Sequence, residues 1–380
     1  MSPRSILFLH PSDEGYGADR ILLATVLGLQ RAGYRATVLL PLEPGDGWLS
    51  TRLAEHGVPV QRAELAVASR RRFRLRAIPR YVIALARARA EIRRRARAVD
   101  ADVIHANTTA ILVAAFVGRP GRARLVWHVH ELVVSPRPVA WLLRVVPPLT
   151  ADRVIAVSEA VRRHITPWAR LRRRVVTVHN GLPRRVVPAP DAGRFSTPTV
   201  AMVGRINRWK GQSVFVAAVA AIAGRFPAAR FVIVGGPPPG EPERVDELRA
   251  QIAAAGLQSR IELRGPVPDG AALFDTAAIA VAPSIWPEPF GLVVLEAMQS
   301  GCAVVAADHG GPPELIDADV TGLLVPPGDV GALAAALARL LADPALGLRL
   351  GLAAQEAAAT AFSEDAMVSG VEAVYRDLLR

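Results

Sequence analysis

Short apolar runs alternate with longer Ala- and Leu-rich segments along almost the whole chain. The short runs are apolar at nearly every position, which predicts strands that are buried on both faces. The longer segments repeat apolar residues at helical spacing. This alternation is typical of parallel sheets that are covered by helices. The predicted strands are residues 6–10, 36–40, 103–105, 125–130, 154–157, 175–179, 199–203, 230–234, 260–263, 279–282, 303–306 and 322–325, and the predicted helices include 18–32, 212–224, 245–255, 293–300, 330–342 and 363–380.

The strand–helix pattern starts again in the second half of the chain. Residues 183–198 contain four prolines and few apolar residues, which indicates a linker. A new strand and a glycine turn follow this linker. The pattern therefore predicts an α/β protein with two doubly wound, Rossmann-like domains, 1–182 and 199–362. We expect their parallel sheets to face each other across a cleft, with a ligand at the carboxyl ends of the strands.

Composition supports folded domains. The chain has 380 residues, of which 51% are hydrophobic, and this predicts large buried cores rather than extensive disorder. The single cysteine, Cys302, excludes a disulfide framework and a cysteine-based zinc cluster. The first residues show no cleavable signal, and the apolar runs are shorter than the ~20 residues that a membrane span needs. We therefore expect a soluble, cytoplasmic protein.

Charge is distributed unevenly along the chain. Residues 1–187 carry a net charge of +19, whereas residues 188–380 carry a net charge of −7. The stretch from Arg70 to Arg97 holds 12 arginines and one acidic residue, with apolar residues at helical spacing between them. Such a basic amphipathic helix favours an anionic membrane surface or an anionic acceptor, although a solvated arginine-rich face gives the same pattern. Nucleic acid is not expected, because aromatic residues make up only 5% of the chain.

A turn with two cations follows the predicted strand 199–203. It reads GRINRWKG and leads into a predicted helix. The glycines permit a tight turn, and a helix N-terminus flanked by Arg205 and Lys210 predicts a diphosphate site. An ordinary loop with exposed charges is the alternative. Lys210 is the only lysine beside 45 arginines, which favours a position where a compact ammonium group is required.

Two glutamates stand eight residues apart in the segment EPFGLVVLEAM. Glu288 lies in the loop before a predicted helix, and Glu296 lies inside that otherwise apolar helix. An ionised carboxylate among apolar side chains is costly unless it is paired or hydrogen-bonded. The diol of a ribose could supply two donors to Glu296, and a structural salt bridge would satisfy it as well. Backbone N–H groups at the start of this helix are expected to point into the cleft.

The loop after the first strand reads HPSDEGYGADR and carries Gly15 and Gly17. It is not the dinucleotide-binding fingerprint, because Arg20 stands where the third glycine is needed. By itself, this loop indicates only a tight turn between a strand and a helix.

Together these segments resemble glycosyltransferase family 4, a family of retaining GT-B glycosyltransferases. The most specific match is the spacing of Glu288 and Glu296, and the resemblance covers nearly the whole chain. Tyr16 and Asp19 replace more usual residues of the family's first loop. The other matching segments are the GR…KG turn at 204–211, the step Asn180-Gly181, the segment GGPPE at 310–314 and the glycine loop at 15–20.

The resemblance implies a role for each matching residue. Arg205 and Lys210 would bind the donor diphosphate and stabilise the leaving group, and Glu296 would hold the ribose hydroxyls. The remaining donor-binding residues would be Glu288 with the backbone of Phe290, Gly291 and Leu292 at the donor sugar, Gly15 and Gly17 from the first domain, and Val267 beside the base. The resemblance also implies an acceptor-binding first domain, a nucleotide-sugar-binding second domain, and packing of helix 363–380 on the first domain.

His130 is the further catalytic candidate beside Glu288, Arg205 and Lys210. It ends an apolar strand, so it should lie at the carboxyl edge that faces the cleft. The family often has a histidine near this position, close to the transferred sugar. His128 lies on the same face but deeper, and a purely structural histidine is the alternative reading.

The expected chemistry is transfer of a sugar. Two cations and a helix dipole can stabilise the departing diphosphate, so we expect no catalytic metal. Glu288 is assigned to binding and positioning, because an acceptor that attacks from the leaving-group face requires no protein nucleophile. The family implies retention of configuration, no metal and no cofactor, and a UDP-sugar more often than a GDP-sugar. The basic helix favours a lipid-linked or anionic acceptor, and no motif in the sequence specifies the acceptor further.

Other functions fit parts of the sequence. A GT-B nucleotide-sugar epimerase or a phosphorylase-like enzyme would share the architecture. A phosphorylase that uses pyridoxal phosphate needs a Schiff-base lysine, and the only lysine already lies in the diphosphate turn. A non-catalytic, basic protein of the membrane surface would explain the charge of the first half but not the pair Glu288 and Glu296.

Overall fold

In a computed structural model of the chain, residues 3–43, 45–68, 78–166, 168–187, 189–238, 240–267 and 269–380 are described. The chain divides into two compact units. Unit 1 comprises Met1–Pro183 together with Glu364–Arg380, and unit 2 comprises Arg184–Ser363. Each unit is built on its own parallel sheet, which confirms the predicted α/β class.

Unit 1 contains a seven-stranded sheet in the order β3-β2-β1-β4-β5-β6-β7. The strand order reverses between β1 and β4, and ligands of such sheets bind at this kind of switch point. The central strands are buried on both faces, as their apolar sequences predict. The strands are β1 (Ser5–Leu9), β2 (Arg35–Pro41), β3 (Val60–Ala63), β4 (Val103–Asn107), β5 (Arg124–Val129), β6 (Arg153–Ala156) and β7 (Val175–Thr177). The helices before the linker are α1 (Gly17–Arg31), α2 (Trp48–Glu55), α3 (Ile78–Ala98), α4 (Ala114–Val117), α5 (Arg137–Thr150) and α6 (Glu159–Ile165).

Unit 2 contains a six-stranded parallel sheet in the order β10-β9-β8-β11-β12-β13. Its switch point lies between β8 and β11. The strands are β8 (Thr199–Val203), β9 (Arg230–Val234), β10 (Ile261–Arg264), β11 (Ile279–Ala282), β12 (Ala303–Ala307) and β13 (Leu323–Val325). The helices are α7 (Gln212–Ile222), α8 (Glu243–Ala254), α9 (Leu292–Gln299), α10 (Pro312–Leu315), α11 (Val330–Ala342) and α12 (Pro344–Thr360).

Most of the predicted linker 183–198 packs on unit 2. Phe195 lies at the end of a short 3-10 helix, Ala192–Phe195, and is buried in the core of this unit. Arg194 donates a hydrogen bond from Nη1 to the carbonyl oxygen of Ser300 at 2.7 Å. A buried aromatic side chain and this hydrogen bond therefore attach to unit 2 a segment whose composition indicates a free connection.

The final helix, α13 (Glu364–Leu378), returns to unit 1 and packs against α1. A Cβ atom on Gly28 of α1 would lie 2.3 Å from a methyl group of Val368, so the two helices approach closely because Gly28 has no side chain. The hydroxyl of Tyr375 lies 2.6 Å from Nδ1 of His105, a buried residue of β4. The helix is thus an integral part of the first unit.

None of the described helices alone is both long and apolar enough to cross a bilayer. Only α11 and α12 taken together reach the required length and apolar character, and a bend of 103° separates them.

Candidate functional site

The turn after β8 is shaped by glycine and by the neighbouring loop after β11. Gly211 begins α7 with a φ of +85°, and a Cβ atom there would lie 2.0 Å from the carbonyl oxygen of Pro283. Inside the turn, Oδ1 of Asn207 accepts hydrogen bonds from the backbone N–H groups of Trp209 and Lys210 at 3.2 and 3.0 Å. The backbone of the lysine is therefore fixed beside the carboxyl end of β11.

Lys210 and Glu288 meet at this edge of the sheet. Nζ of Lys210 donates to Oε1 of Glu288 at 2.8 Å, and the two side chains are only 21% and 11% exposed. The hydroxyl of Ser284 donates to the same carboxylate oxygen. Burial raises the pKa of Glu288, but the charge of Lys210 and these hydrogen bonds outweigh burial and hold the pKa below its usual value. Glu288 is therefore ionised at neutral pH.

The loop after β12 fixes the backbone of Glu288. Gly310 forms a parallel bridge with Glu288, and the N–H of Gly311 donates to the Glu288 carbonyl at 2.8 Å. A Cβ atom on Gly310 would lie 2.4 Å from that carbonyl oxygen, so the approach requires glycine. Nε2 of His309 donates to the carbonyl oxygen of Ser284 at 2.9 Å. The loops after β8, β11 and β12 thus meet at Glu288.

The remaining residues of the glutamate motif continue directly into α9. Gly291 adopts a φ of +101° and precedes the first helical residue, Leu292. Phe290 is buried, as is the side chain of Glu296 inside the helix. The predicted order of loop, helix start and buried glutamate is therefore what the structure shows.

The two other donor candidates of unit 2 lie in exposed loops. Arg205 is exposed at the start of the turn after β8, and its carbonyl accepts a hydrogen bond from Nε2 of Gln212 at 2.9 Å. Val267 is exposed in the loop after β10, which β9 separates from β8. The structure thus brings Lys210 and Glu288 into contact and leaves Arg205 and Val267 open to solvent.

In unit 1, three polar side chains form a row at the carboxyl ends of adjacent strands. His10 follows β1, Asn107 ends β4, and His130 follows β5. Nδ2 of Asn107 lies 2.9 Å from Nδ1 of His10, and its Oδ1 lies 2.9 Å from Nε2 of His130. Burial, together with the neighbouring His10 and His105, lowers the pKa of His130 to about 3. His130 is therefore a neutral imidazole at physiological pH.

His128 is the deeper of the two histidines on this strand, as predicted. It is buried, and its ring lies 4.2 Å from that of His130. Neither of its ring nitrogens has a hydrogen-bond partner within the described residues. Burial places its pKa well below the usual value.

The glycine loop joins this row through Asp19. Gly15 has a φ of +77°, and a Cβ atom there would lie 2.7 Å from the ring of Trp48. Gly17 begins α1, and the N–H of Tyr16 donates to Oδ2 of Asp19 at 2.9 Å. Oδ1 of Asp19 lies 2.7 Å from Nε2 of His10, and both side chains are completely buried.

A cavity of about 630 Å³ opens at the carboxyl ends of β1, β2 and β3 in unit 1. Glu14, Glu43 and Glu64 line it, and no lysine or arginine is among the described residues of its lining. The buried carboxylate of Asp13 at its wall is satisfied by Ser50 and by Nη2 of Arg62 at 2.7 Å. Burial raises the pKa of Asp13, but these hydrogen bonds lower it below its usual value.

Sequence reasoning does not assign roles to several residues of these sites. Their positions beside strand ends are the only signal in the sequence, since their contacts depend on residues far away in the chain. These residues are His10, Asp19, Asn107, Ser284 and His309. Among the residues that the structure describes, no group of three or more His, Cys, Asp or Glu side chains could hold a metal ion.

Comparisons with known proteins match both halves of the chain. Residues 16–185 match the family described as Glycosyltransferase Family 4, and residues 197–343 match Glycosyl transferases group 1. The chain is similar to D-inositol 3-phosphate glycosyltransferase of Corynebacterium glutamicum, with 38% identity over 48% of this chain and 44% of that protein. It is also similar to alpha-maltose-1-phosphate synthase of Mycolicibacterium smegmatis, with 34% identity over 66% of this chain and 69% of that protein. The matches span about half or less of the length of the first three curated relatives.

The fold is similar to that of a solved structure with a bound nucleotide. HepE of Anabaena in complex with UDP has a TM-score of 0.82 and 25% sequence identity, over 98% of this chain and all of that chain. The same protein in complex with UDP-glucose has a TM-score of 0.79.

Proposed function

Because the chain belongs to glycosyltransferase family 4 and has the GT-B fold, we propose that it transfers a sugar from a nucleotide-diphosphate sugar to a hydroxyl group of an acceptor. The observation that carries this proposal is the ion pair of Lys210 and Glu288 at the switch point of unit 2. It places a cation and a carboxylate beside the N-terminus of α7, where a diphosphate is favoured.

The proposed chemistry follows from the charges that develop during the reaction. Cleavage of a sugar–phosphate bond leaves negative charge on the diphosphate, and Lys210, Arg205 and the start of α7 would stabilise it. These groups supply positive charge themselves, so we propose a reaction that needs no metal and no cofactor. A UDP-sugar is the proposed donor, since HepE of Anabaena binds UDP and UDP-glucose.

Retention of configuration is part of the proposal. Glu288 is engaged by Lys210, Ser284 and the Gly310 bridge, which suits a group that positions a sugar rather than one that attacks it. The acceptor hydroxyl would then attack from the side of the leaving group, and a phosphate oxygen would take its proton. The sugar would keep its anomeric configuration.

We place the acceptor in the cavity beside β1, β2 and β3. The three glutamates that line it would repel a phosphorylated acceptor and accept hydrogen bonds from a neutral, hydroxyl-rich one. We therefore no longer expect an anionic acceptor in this cavity. An anionic partner would instead bind the surface of α3, which carries the positive charge.

A screen of nucleotide sugars tests the function. We expect UDP or a UDP-sugar to raise the unfolding temperature, because a ligand at 100 times its Kd stabilises a protein by about 2.7 kcal/mol. UDP-, GDP-, ADP- and dTDP-sugars should be compared, each with neutral and phosphorylated acceptors, and the product's anomeric configuration read by NMR. Glu296→Gln should lose the stabilisation, whereas Glu262→Gln, at an exposed pair with Arg264, should keep it. If no nucleotide stabilises the folded protein, the proposed nucleotide-sugar donor is wrong. If the product has the inverted anomeric configuration, the proposed retention is wrong.

The surface of α3 supports a membrane partner. Val82 and Ile83 are 57% and 54% exposed on this helix, and Phe116 of α4 is 59% exposed. Nε of Arg89 donates to the carbonyl oxygen of Phe116 at 2.7 Å, which joins the two helices into one surface. Of the basic stretch 70–97, residues 70–77 lie outside the described residues. We propose that this surface holds a cytoplasmic enzyme at the anionic inner face of the membrane.

Vesicle binding tests this partner. Each arginine near an anionic surface contributes about 1 kcal/mol, so Arg87→Gln with Arg97→Gln should weaken binding to vesicles of phosphatidylglycerol and phosphatidylcholine by about ten- to thirty-fold. The matched control is Arg172→Gln with Arg173→Gln, which removes the same charge from an exposed 3-10 helix of unit 1. Equal losses in both double variants would show that net charge, not this surface, drives binding.

A further inference from the structure

Asp19, His10, Asn107 and His130 form one continuous chain of hydrogen bonds in unit 1. The consecutive contacts are 2.7, 2.9 and 2.9 Å long. The first three side chains are buried, whereas His130 is partly exposed. The chain crosses the carboxyl edge of the sheet from the glycine loop to the histidine that sequence reasoning assigns to the transferred sugar.

The direction of every hydrogen bond in this chain follows from the atoms that face each other. Nδ1 of His10 faces the amide nitrogen Nδ2 of Asn107, which can only donate, so Nδ1 accepts and carries no proton. The imidazole proton of His10 is then on Nε2, which donates to Oδ1 of Asp19. The amide oxygen of Asn107 is thereby turned towards His130.

The last step decides the state of His130. The amide oxygen of Asn107 accepts only, so Nε2 of His130 must carry the proton and donate to it. Nδ1 of His130 then holds a lone pair, and within the described residues it has no hydrogen-bond partner. We infer that Asp19, His10 and Asn107 are positioning residues, which hold His130 as a hydrogen-bond acceptor at Nδ1.

Asp19 also connects the glycine loop to this chain. Its Oδ2 accepts from the N–H of Tyr16 at 2.9 Å, and its Oδ1 accepts from the hydroxyl of Ser12 at 2.8 Å. One carboxylate therefore closes the loop that carries Gly15 and Gly17 and orients the proton on His130. The loop geometry and the hydrogen-bonding of the histidine depend on the same group.

The role of the acceptor nitrogen rests on the proposed function. A sugar hydroxyl can donate a hydrogen bond to Nδ1, whereas an N–H at that position would donate to the hydroxyl oxygen and turn the hydroxyl proton towards another acceptor. A fixed acceptor therefore sets the direction of one O–H bond beside the reacting carbon. Nucleotide binding, which does not involve this hydroxyl, should be independent of the proton on His130.

Asp19→Asn should reverse the whole chain. The N–H of Tyr16 can only donate, so the new amide oxygen takes the position of Oδ2 and the amide nitrogen faces His10. Nε2 of His10 then accepts, its Nδ1 donates, and Asn107 turns its amide nitrogen towards His130. His130 would then carry its proton on Nδ1. Asn107→Asp, in contrast, still offers His130 an acceptor and should leave its proton on Nε2.

Nitrogen-15 NMR of histidine-labelled protein reads these states directly. We expect the proton of His130 on Nε2 in the wild type and in Asn107→Asp, and mainly on Nδ1 in Asp19→Asn. Asp13→Asn is the matched control, since Asp13 is another buried carboxylate, in the loop before α1, and it contacts Ser50 and Arg62. It should leave His130 unchanged. The signals of His105, which contacts Tyr375, report that each variant is folded.

The outcomes separate this inference from the proposed function. A folded Asp19→Asn protein whose His130 keeps its proton on Nε2 would overturn the inference, whatever the activity. If Asp19→Asn does not fold, Asn107→Leu takes its place, and we expect it to give a mixture of both proton positions. In an active enzyme, Asp19→Asn should lower kcat/KM for the UDP-sugar about ten-fold and leave the Kd of UDP unchanged. Equal losses for UDP and UDP-sugar would point to a distorted loop instead and contradict the inference.

Discussion

Replacing Lys210 by alanine should lower sugar transfer by at least about 100- to 1,000-fold, a loss typical of removing one group that stabilises developing negative charge. The variant loses its cation at the proposed diphosphate site. It also leaves Glu288 buried without its ion-pair partner, because Nζ of Lys210 contacts Oε1 at 2.8 Å and Ser284, the other donor to this oxygen, is uncharged. We also expect the free energy of unfolding to fall by about 2 kcal/mol. This loss is smaller than for a fully buried ion pair, because both side chains are partly exposed.

A double variant separates the two effects of Lys210. Lys210→Ala with Glu288→Gln removes the unpaired charge, so it should regain most of the stability without regaining activity. Lys210→Arg keeps the charge and should retain more activity than alanine. Arg264→Ala breaks an exposed pair with Glu262 and should change neither property measurably. Initial rates with a UDP-sugar and urea unfolding would measure these effects. Transfer by Lys210→Ala within about three-fold of the wild type would contradict the assignment of this site.

Replacing Gly211 by alanine should destabilise unit 2 by more than about 4 kcal/mol, or prevent its folding. The residue has a φ of +85°, and the new Cβ atom would lie 2.0 Å from the carbonyl oxygen of Pro283. A left-handed conformation alone costs about 1–2 kcal/mol for an alanine. The larger part of the loss would come from separating the loops after β8 and β11, which hold Lys210 and Glu288 together.

Gly256→Ala is the matched control for this prediction. Gly256 also has a positive φ, +66°, but a Cβ atom there meets nothing within 4 Å. We expect it to cost about 1 kcal/mol. Urea unfolding followed by hydrogen exchange of peptides from unit 2 would compare the two variants. Equal losses would mean that the contact between the two loops does not limit stability.

The strands could be predicted from the sequence where they are buried on both faces. β3 is missed because it lies at the edge of its sheet and carries the polar Gln61 and Arg62. The extent of α5 is not evident from the sequence, because Pro147 and Pro148 stand near its end and proline normally interrupts a helix. α12 contains glycines, which weaken its helical pattern, yet a Cβ atom on Gly351 would lie 2.2 Å from the carbonyl oxygen of Gly301. Close packing, rather than helix propensity, explains that residue.

For the candidate site, the sequence predicts only which residues lie at the carboxyl ends of strands. Parallel strands bring all their carboxyl ends to one edge, which is why Lys210 and Glu288 could be expected in the same region although 78 residues separate them. Their direct contact depends on loop conformations that no local pattern encodes. The hydrogen bonds that link Asp19 to His130 depend in the same way on the strand order β1-β4-β5, which brings residues 10, 107 and 130 side by side.

The position of α13 in the chain affects how the protein is synthesised. Unit 2 is one continuous segment, whereas unit 1 needs a helix that follows unit 2 in the sequence. Chains emerge from the ribosome N-terminus first, and domains fold as units as they become complete. The surface of α1 around Gly28 therefore remains uncovered until all of unit 2 has been translated. Unit 1 is thus synthesised first but completed last. Chaperones that bind apolar surfaces of nascent chains would bind the uncovered surface of α1.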